Sequence, residues 1–180
     1  MIPIMSASIF NRLFESATVE RRYGAGATLF RAGDPVSSMF LIVSGEARLA
    51  RALPQGSVLT LQRAGPGAVV AEASLFAERY RCDGTVAVDT VARILAVASM
   101  RETLLREPDL LLGLTRHFAE AIQRSRAQNE ILTLRTVRER LDAWIAFNGD
   151  AMPRKGGWRG VASEIGVSPE GLYPEMARRR

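Results

Sequence analysis

The stretch "AGDPVSSMFLIVSGEARLARA", Ala32–Ala52, decides the fold. A Gly-Asp-Pro cluster precedes the apolar run Met39–Val43, and Ser44-Gly45-Glu46 closes it. Short apolar runs cut by glycine, proline and aspartate are the punctuation of strands and turns. The same texture extends outward from Tyr23 to Val97: "ATLF" runs into "RAGDP", "SVLTL" precedes "RAGPG", and "TVARILAV" closes the region. Several short strands at regular spacing predict an antiparallel sandwich, jelly roll or barrel.

Beyond Val97 the period changes. In "REPDLLLGLTRHFAEAIQRSRAQNEILTL", Pro108 stands in a favourable first-turn position, flanked by Glu107 and Asp109, which suit a helix N-terminus. Leu111, Leu114, Phe118, Ile122, Ser125 and Leu132 recur at spacings of three and four, with Gln128 or Asn129 completing the stripe. Arg116, Glu120, Arg124 and Glu130 occupy the other faces. Such a helix would be on the order of 40 Å long, more than a small domain needs internally. We therefore expect the stripe to serve a second subunit rather than the chain's own sheet. A further helix over "TVRERLDAWIAF" places Val137, Leu141, Trp144 and Ile145 on one face, and "NGDAMPRKGG" ends it.

From Trp158 onward the pattern is helix, turn and helix. Val161, Ala162 and Ile165 are core positions, Gly166 makes the turn and Val167 plugs it. Ser168 is a natural N-cap and Pro169 an ideal first helical residue. Leu172 and Met176 should pack the second helix down, leaving Glu170, Tyr173 and Arg178, Arg179 and Arg180 outward; Ser168 and, on the first helix, Arg159 join them as candidate DNA contacts. Pro174 at the sixth helical position costs about 3 kcal/mol in a regular helix, and Gly171 adds roughly 1 kcal/mol relative to alanine, which predicts a kinked or frayed segment.

Composition narrows the chemistry. The chain has 180 residues, 47% of them hydrophobic, and a net charge of +5 in which Lys155 is the single lysine. One cysteine, Cys82, excludes an intramolecular disulfide framework and four-cysteine metal or iron–sulfur sites. One histidine, His117, leaves no histidine cluster, and no metal site, cofactor or catalytic constellation is expected. No run approaches the roughly 18 apolar residues of a membrane span, so no membrane partner is expected. The start "MIPIMSASIF" lacks the basic region of a secretory signal, and the expected location is the cytoplasm.

Taken in this order, the parts resemble the Crp/Fnr family of bacterial transcription regulators. "AGDPVSSMFLIVSGEARLARA" is similar to the family's early β-roll segment, "GPGAVVAEASLF" to its phosphate-cassette segment and "REPDLLLGL" to the start of its dimer helix. The resemblance covers about residues 20–178. It implies an α+β protein: a cyclic-nucleotide-binding-like β-roll (double-stranded jelly roll) over 1–97, linking and long dimerisation helices over 98–134, and a helix-turn-helix domain over 135–180, truncated relative to the family because no β-hairpin wing follows the second helix. It also implies a homodimer acting on double-stranded DNA near promoters, with RNA polymerase as a further partner.

In family members that bind cyclic nucleotides, a glutamate holds the ribose and an Arg-Ser pair holds the phosphate. Those positions match Glu72, with Ala71 where a glycine precedes it, and Cys82 and Asp83. A carboxylate repels phosphate and a thiol supplies no cation, so cyclic AMP or GMP is not expected to bind in the usual manner. Arg81 is one residue early and should face the opposite side of its strand. On the long helix, Ser125 keeps the hydroxyl that reaches the base, whereas Arg126 does not. The pocket is left either ligand-free or with an unidentified small effector. A reactive Cys82 thiolate beside Arg81 is the less favoured reading beside an inert packed cysteine, and a haem-ligating His117 likewise beside a packed or solvated one. At the reading helix, the family's Arg, Glu and Arg positions match Pro169, Glu170 and Pro174. The function expected is a DNA-binding regulator not gated by a cyclic nucleotide; the alternative is a sensor-like dimerisation module whose helix-turn-helix no longer binds specific DNA.

Overall fold

A computed structural model describes residues 4–15, 18–149 and 155–179. The chain divides into two compact units, Met1–Thr115 and Arg116–Arg180.

The first unit opens with a helix, α1 (Ile4–Glu15), which the strand-and-turn reading did not anticipate. Its Phe10, Leu13 and Phe14 are buried. Among the described residues two four-stranded antiparallel sheets follow, with strand orders β1-β8-β3-β6 and β2-β7-β4-β5. The strands are β1 (Thr18–Tyr23), β2 (Thr28–Phe30), β3 (Ser38–Ser44), β4 (Ala47–Ala52), β5 (Val58–Ala64), β6 (Val69–Val70), β7 (Asp83–Val86) and β8 (Thr90–Ala96). The opening stretch thus supplies β3 and β4, consecutive in sequence yet assigned to different sheets. Because a strand turns alternate residues to opposite faces, one row from each sheet fills the space between them. Phe30, Phe40, Ile42, Ala47, Ala64, Val70, Tyr80 and Ala92 make that core. Phe30 stacks on Tyr80 with ring centroids 4.0 Å apart, and the Tyr80 hydroxyl donates to the Ser38 carbonyl at 2.7 Å. Gly84 is demanded by this packing: a Cβ there would lie 2.6 Å from the Phe30 ring.

After β8 come α2 (Val97–Arg106) and α3 (Pro108–Thr133). Gly113 of α3 lies directly against the Ile9 side chain of α1, with no room for a Cβ. Leu110 and Leu114 are each 2% exposed, so Leu114 belongs to the core of its own unit and not to a surface seam. Helical periodicity could not make that distinction, since a residue buried inside a unit and one offered to a partner both fall on an apolar stripe. Leu111, Ile122 and Leu132 are exposed, and Phe118 is half-buried.

The second unit holds the rest of α3, then α4 (Val137–Phe147), a 3-10 turn at Lys155–Gly157, α5 (Trp158–Glu164) and α6 (Pro169–Ala177). Thr136 opens α4 with a capping box: its hydroxyl accepts from the Glu139 amide at 3.1 Å, and the Glu139 carboxylate accepts from the Thr136 amide at 2.9 Å. That amide, then the Thr136 hydroxyl, hold the Glu139 carboxyl below its ordinary range. Ile131, Leu141, Val161, Ala162, Ile165, Leu172 and Met176 form the core. The helix is not frayed at Pro174: α6 runs through it, and the Arg178 amide donates to the Pro174 carbonyl at 3.2 Å. Burying Leu172 and Met176 contributes about 3–6 kcal/mol, enough to offset the roughly 4 kcal/mol that Pro174 and Gly171 cost. Pro174 itself faces solvent. No helix among the described residues is long and apolar enough to cross a membrane.

Candidate functional site

Two places carry candidate chemistry, one in each unit. In the first, β6 delivers the chain to Ala71 and a 3-10 turn at Glu72–Ser74. Ala71 is buried and adopts φ 73°, ψ 13°, the left-handed region that glycine enters freely and an L-residue enters at about 1–2 kcal/mol. The backbone bend is therefore kept although the glycine is absent. It carries Glu72 into a partly buried position, and burial pushes the Glu72 carboxyl up against the lowering pull of its own backbone amide.

The burial alternation of β7 decides which neighbours share that space. Gly84 and Val86 are buried, whereas Asp83 and Thr85 are only partly so. Asp83 thus stands on the outward row, and its carboxylate accepts from the Ala32 amide at 2.8 Å. This corrects the expectation that Asp83 repels a ligand from within the pocket: the carboxylate is turned out to tie down the turn after β2. Cys82 takes the inward side and packs against the core. Burial is the largest influence on its thiol and pushes it up; the cation pulling it down is Arg51, not Arg81. The low-pKa thiolate reading is corrected on that ground. Arg81 is exposed, and its carbonyl accepts from Arg51 Nε at 3.2 Å. Ser125 lies exposed on α3, within the second unit.

In the second unit, α5 ends at a turn whose Gly166 has φ 66°. Ser168 caps α6 by accepting from the Gly171 amide at 3.1 Å, and Pro169 is the first helical residue. The exposed residues of α6 include Glu170 and Tyr173, and Tyr173 meets Trp158 of α5 at 5.8 Å between ring centroids. Arg159 is exposed on α5. Among the terminal arginines, Arg178 pairs with Glu175 at 2.7 Å and Arg179 with Asp142 of α4 at 2.5 Å. With its side chain only 22% exposed, Arg179 fastens α6 to α4 before it is available to any phosphate. Arg180 lies outside the described residues.

Two residues escaped the motif reading. Arg140 of α4 donates to four backbone carbonyls: Leu132 and Leu134 at the end of α3, and Ile165 and Gly166 in the turn, at 2.9–3.2 Å. It holds the turn between α5 and α6 against the preceding helix. Arg51, the cation beside Cys82, comes from the neighbouring strand β4. Arg51 lies in the opening stretch but at a position to which the motif assigns no role, and Arg140 lies in no motif, so only strand register and helix packing reveal them.

Residues 20–107 match the cyclic nucleotide-binding domain. Over 109 residues the chain is 25% identical to the cAMP-activated global transcriptional regulator CRP of Haemophilus influenzae, covering 59% of this chain and 49% of that one. The chain therefore spans about half the length of the curated relative it matches. The N-terminal domain of a transcriptional regulator from Streptomyces coelicolor A3(2) aligns at 26% identity with a TM-score of 0.55, over 66% of this chain and 83% of its own. The catabolite activator protein of Thermus thermophilus shares the fold, with a TM-score of 0.60 at 23% identity, over 93% of this chain and 80% of its own.

Proposed function

We propose, for a chain whose residues 20–107 match the cyclic nucleotide-binding domain, a dimeric DNA-binding transcription regulator of the Crp/Fnr type that is not gated by cyclic AMP or GMP. The observation that carries the DNA reading is the capped α5–turn–α6 unit, with Glu170 and Tyr173 exposed on α6 above a fully buried Leu172. A helix so presented enters the major groove with its N-terminal residues at base edges, and glutamate there accepts from cytosine. Arg159 and Arg178 are the proposed phosphate contacts; both are exposed, and Arg178, with its side chain 74% exposed, can exchange its pairing with Glu175 for a phosphate. Arg179 is assigned to the fold.

Dimerisation is proposed through α3, whose Leu111, Ile122 and Leu132 are 42%, 53% and 40% exposed. Independence from cyclic nucleotides rests on Cys82: no guanidinium side chain belongs to that position just before β7, and Ala71 puts a methyl where the backbone would approach a ligand. The second reading, a dimerisation module without specific DNA binding, draws on Pro174 and on the engagement of Arg179.

Fluorescence anisotropy with a labelled promoter-region duplex tests the first reading. The dimer binds at low salt with an affinity that falls as salt rises, by roughly one logarithmic unit per ten-fold salt for each phosphate neutralised. Pro174→Arg tightens that binding by adding a cation to the exposed face of α6. Negligible binding by both proteins at low salt refutes the DNA reading in favour of the module. Titration calorimetry with cyclic AMP gives no saturable heat; a micromolar site would overturn the ungated reading.

A further inference from the structure

The outer face of the β1-β8-β3 sheet carries a cleft that neither candidate site uses. Val91 of β8 faces away from the core, because its neighbour Ala92 belongs to the core. Arg22 of β1 stands opposite Val91, and its own neighbour Tyr23 packs against the core, so Arg22 shares the outer face. On the other side, a β-bulge after Ile42 sets Ser44 of β3 opposite Val91. Simple alternation from Ile42 would turn Ser44 inward; the extra residue re-aims it outward. Arg22, Val91 and Ser44 therefore form one row across three strands, each about 4.8 Å from the next. Gly45, at φ 87° and with no room for a Cβ against Asp89 and Thr90, seats the β3–β4 turn on the β7–β8 turn and brings Asp89 to the end of that row. The four residues border an open cleft of about 360 Å³.

Two opposite charges border this cleft without pairing with each other. Arg93, in the next outward row of β8, is paired with Glu20 at 3.6 Å, whereas among the described residues Arg22 makes no ion pair. Asp89 Oδ1 accepts from the Ala25 amide at 2.9 Å, which fixes the carboxylate and leaves Oδ2 without a hydrogen-bond partner among the described residues. A cation and an anion held apart over one apolar floor match a molecule that carries both charges. We propose that the cleft binds a small α-amino acid as its zwitterion, with the carboxylate on the Arg22 guanidinium and the Ser44 hydroxyl, the ammonium on Asp89 and the side chain over Val91. The planar guanidinium receives a carboxylate through two parallel N–H donors, and an ionised aspartate accepts from an ammonium. The volume stands near the lower end of the roughly 300–1,000 Å³ of small-molecule clefts, which favours a small ligand. The cleft opens to solvent from one sheet, whereas Cys82 packs against the core from the other, so the site is separate from the Glu72 and Cys82 pocket and stands whether or not the chain binds DNA.

The test is a titration of the isotope-labelled full chain with L-alanine at neutral pH, followed by amide resonances. Those of Ser44, Gly45 and Val91 shift saturably, with a dissociation constant on the order of 1 mM for so open a site. L-Alaninamide keeps only the cation and N-acetyl-L-alanine only the anion; each binds at least about threefold more weakly, the range of an exposed charge pair. Arg22→Gln and Asp89→Asn each weaken L-alanine by the same factor. Asp89→Asn keeps a carbonyl oxygen for the Ala25 amide, so its spectrum outside the cleft matches the wild type and the loss reports the charge. Equal binding of L-alanine and either one-charge analogue, or undiminished binding by both variants, overturns the zwitterion assignment. Inorganic phosphate moving the same amides as strongly as L-alanine overturns it too, in favour of a plain anion site. Absence of any saturable shift at these amides up to about 10 mM L-alanine overturns the cleft as a binding site.

Discussion

Replacing Arg140 by alanine removes one side chain that serves four carbonyls from two segments of the second unit. The bonds to Leu134 at 2.9 Å and Ile165 at 3.1 Å are partly buried, whereas those to Gly166 and Leu132 are exposed and count for little. A hydrogen bond from a charged group contributes about 1.5–3 kcal/mol, so the two shielded bonds give roughly 3–6 kcal/mol. Truncation returns about 2 kcal/mol of arginine side-chain entropy. The net loss is therefore about 1–4 kcal/mol. Both tryptophans, Trp144 and Trp158, lie in this unit, so urea unfolding followed by tryptophan fluorescence reports on it selectively. The midpoint falls while the slope stays constant, because the surface exposed on unfolding is unchanged. Arg140→Lys recovers less than half of the loss, since one ammonium cannot span carbonyls on opposite sides of the fork. A loss below about 0.5 kcal/mol for Arg140→Ala, the range of an ordinary surface substitution, would refute the clamp.

Glu72→Gln is expected to raise the stability of the β-roll at pH 7 and to leave it unchanged near pH 3.5. The folded carboxyl titrates above its ordinary 4.5, so the wild type loses stability as pH rises from that value through the folded one and stays lower beyond it. Thermal unfolding of both proteins across this range checks the sign; a gap that widens toward acid contradicts the burial argument. Gly84→Ala sets a methyl 2.6 Å from the Phe30 ring and should cost about 1–3 kcal/mol by overpacking, read as a fall in melting temperature with loss of near-ultraviolet aromatic signal. Ser168→Ala removes the acceptor for the Gly171 amide and should cost about 1 kcal/mol, seen in the tryptophan-reported transition.

Local chemistry is what the sequence by itself determined. Gly-Asp-Pro and Ser-Gly-Glu mark strand ends because their torsions and missing amides act within a few residues. Ser168-Pro169 announces α6 for the same reason, and the cap stands where the residues placed it. Glu72 stands out as a candidate by its motif, whereas its burial is not legible there.

Tertiary structure alone decided the rest, wherever a residue's role depends on partners distant in the chain. Pro174 carries a local penalty, and only the burial of Leu172 and Met176 outweighs it. Leu114 and Ile122 share one helical stripe, yet one lies in a unit's core and the other faces outward. Asp83 reads as a pocket residue until strand alternation turns it out and Ala32, 51 positions away, takes its carboxylate. Arg51 meets Cys82 through strand register, and Arg140 meets Ile165 through helix packing. Side-chain period and capping act over one turn or one pleat, whereas register and packing are settled by contacts that form when distant segments bury their apolar faces together.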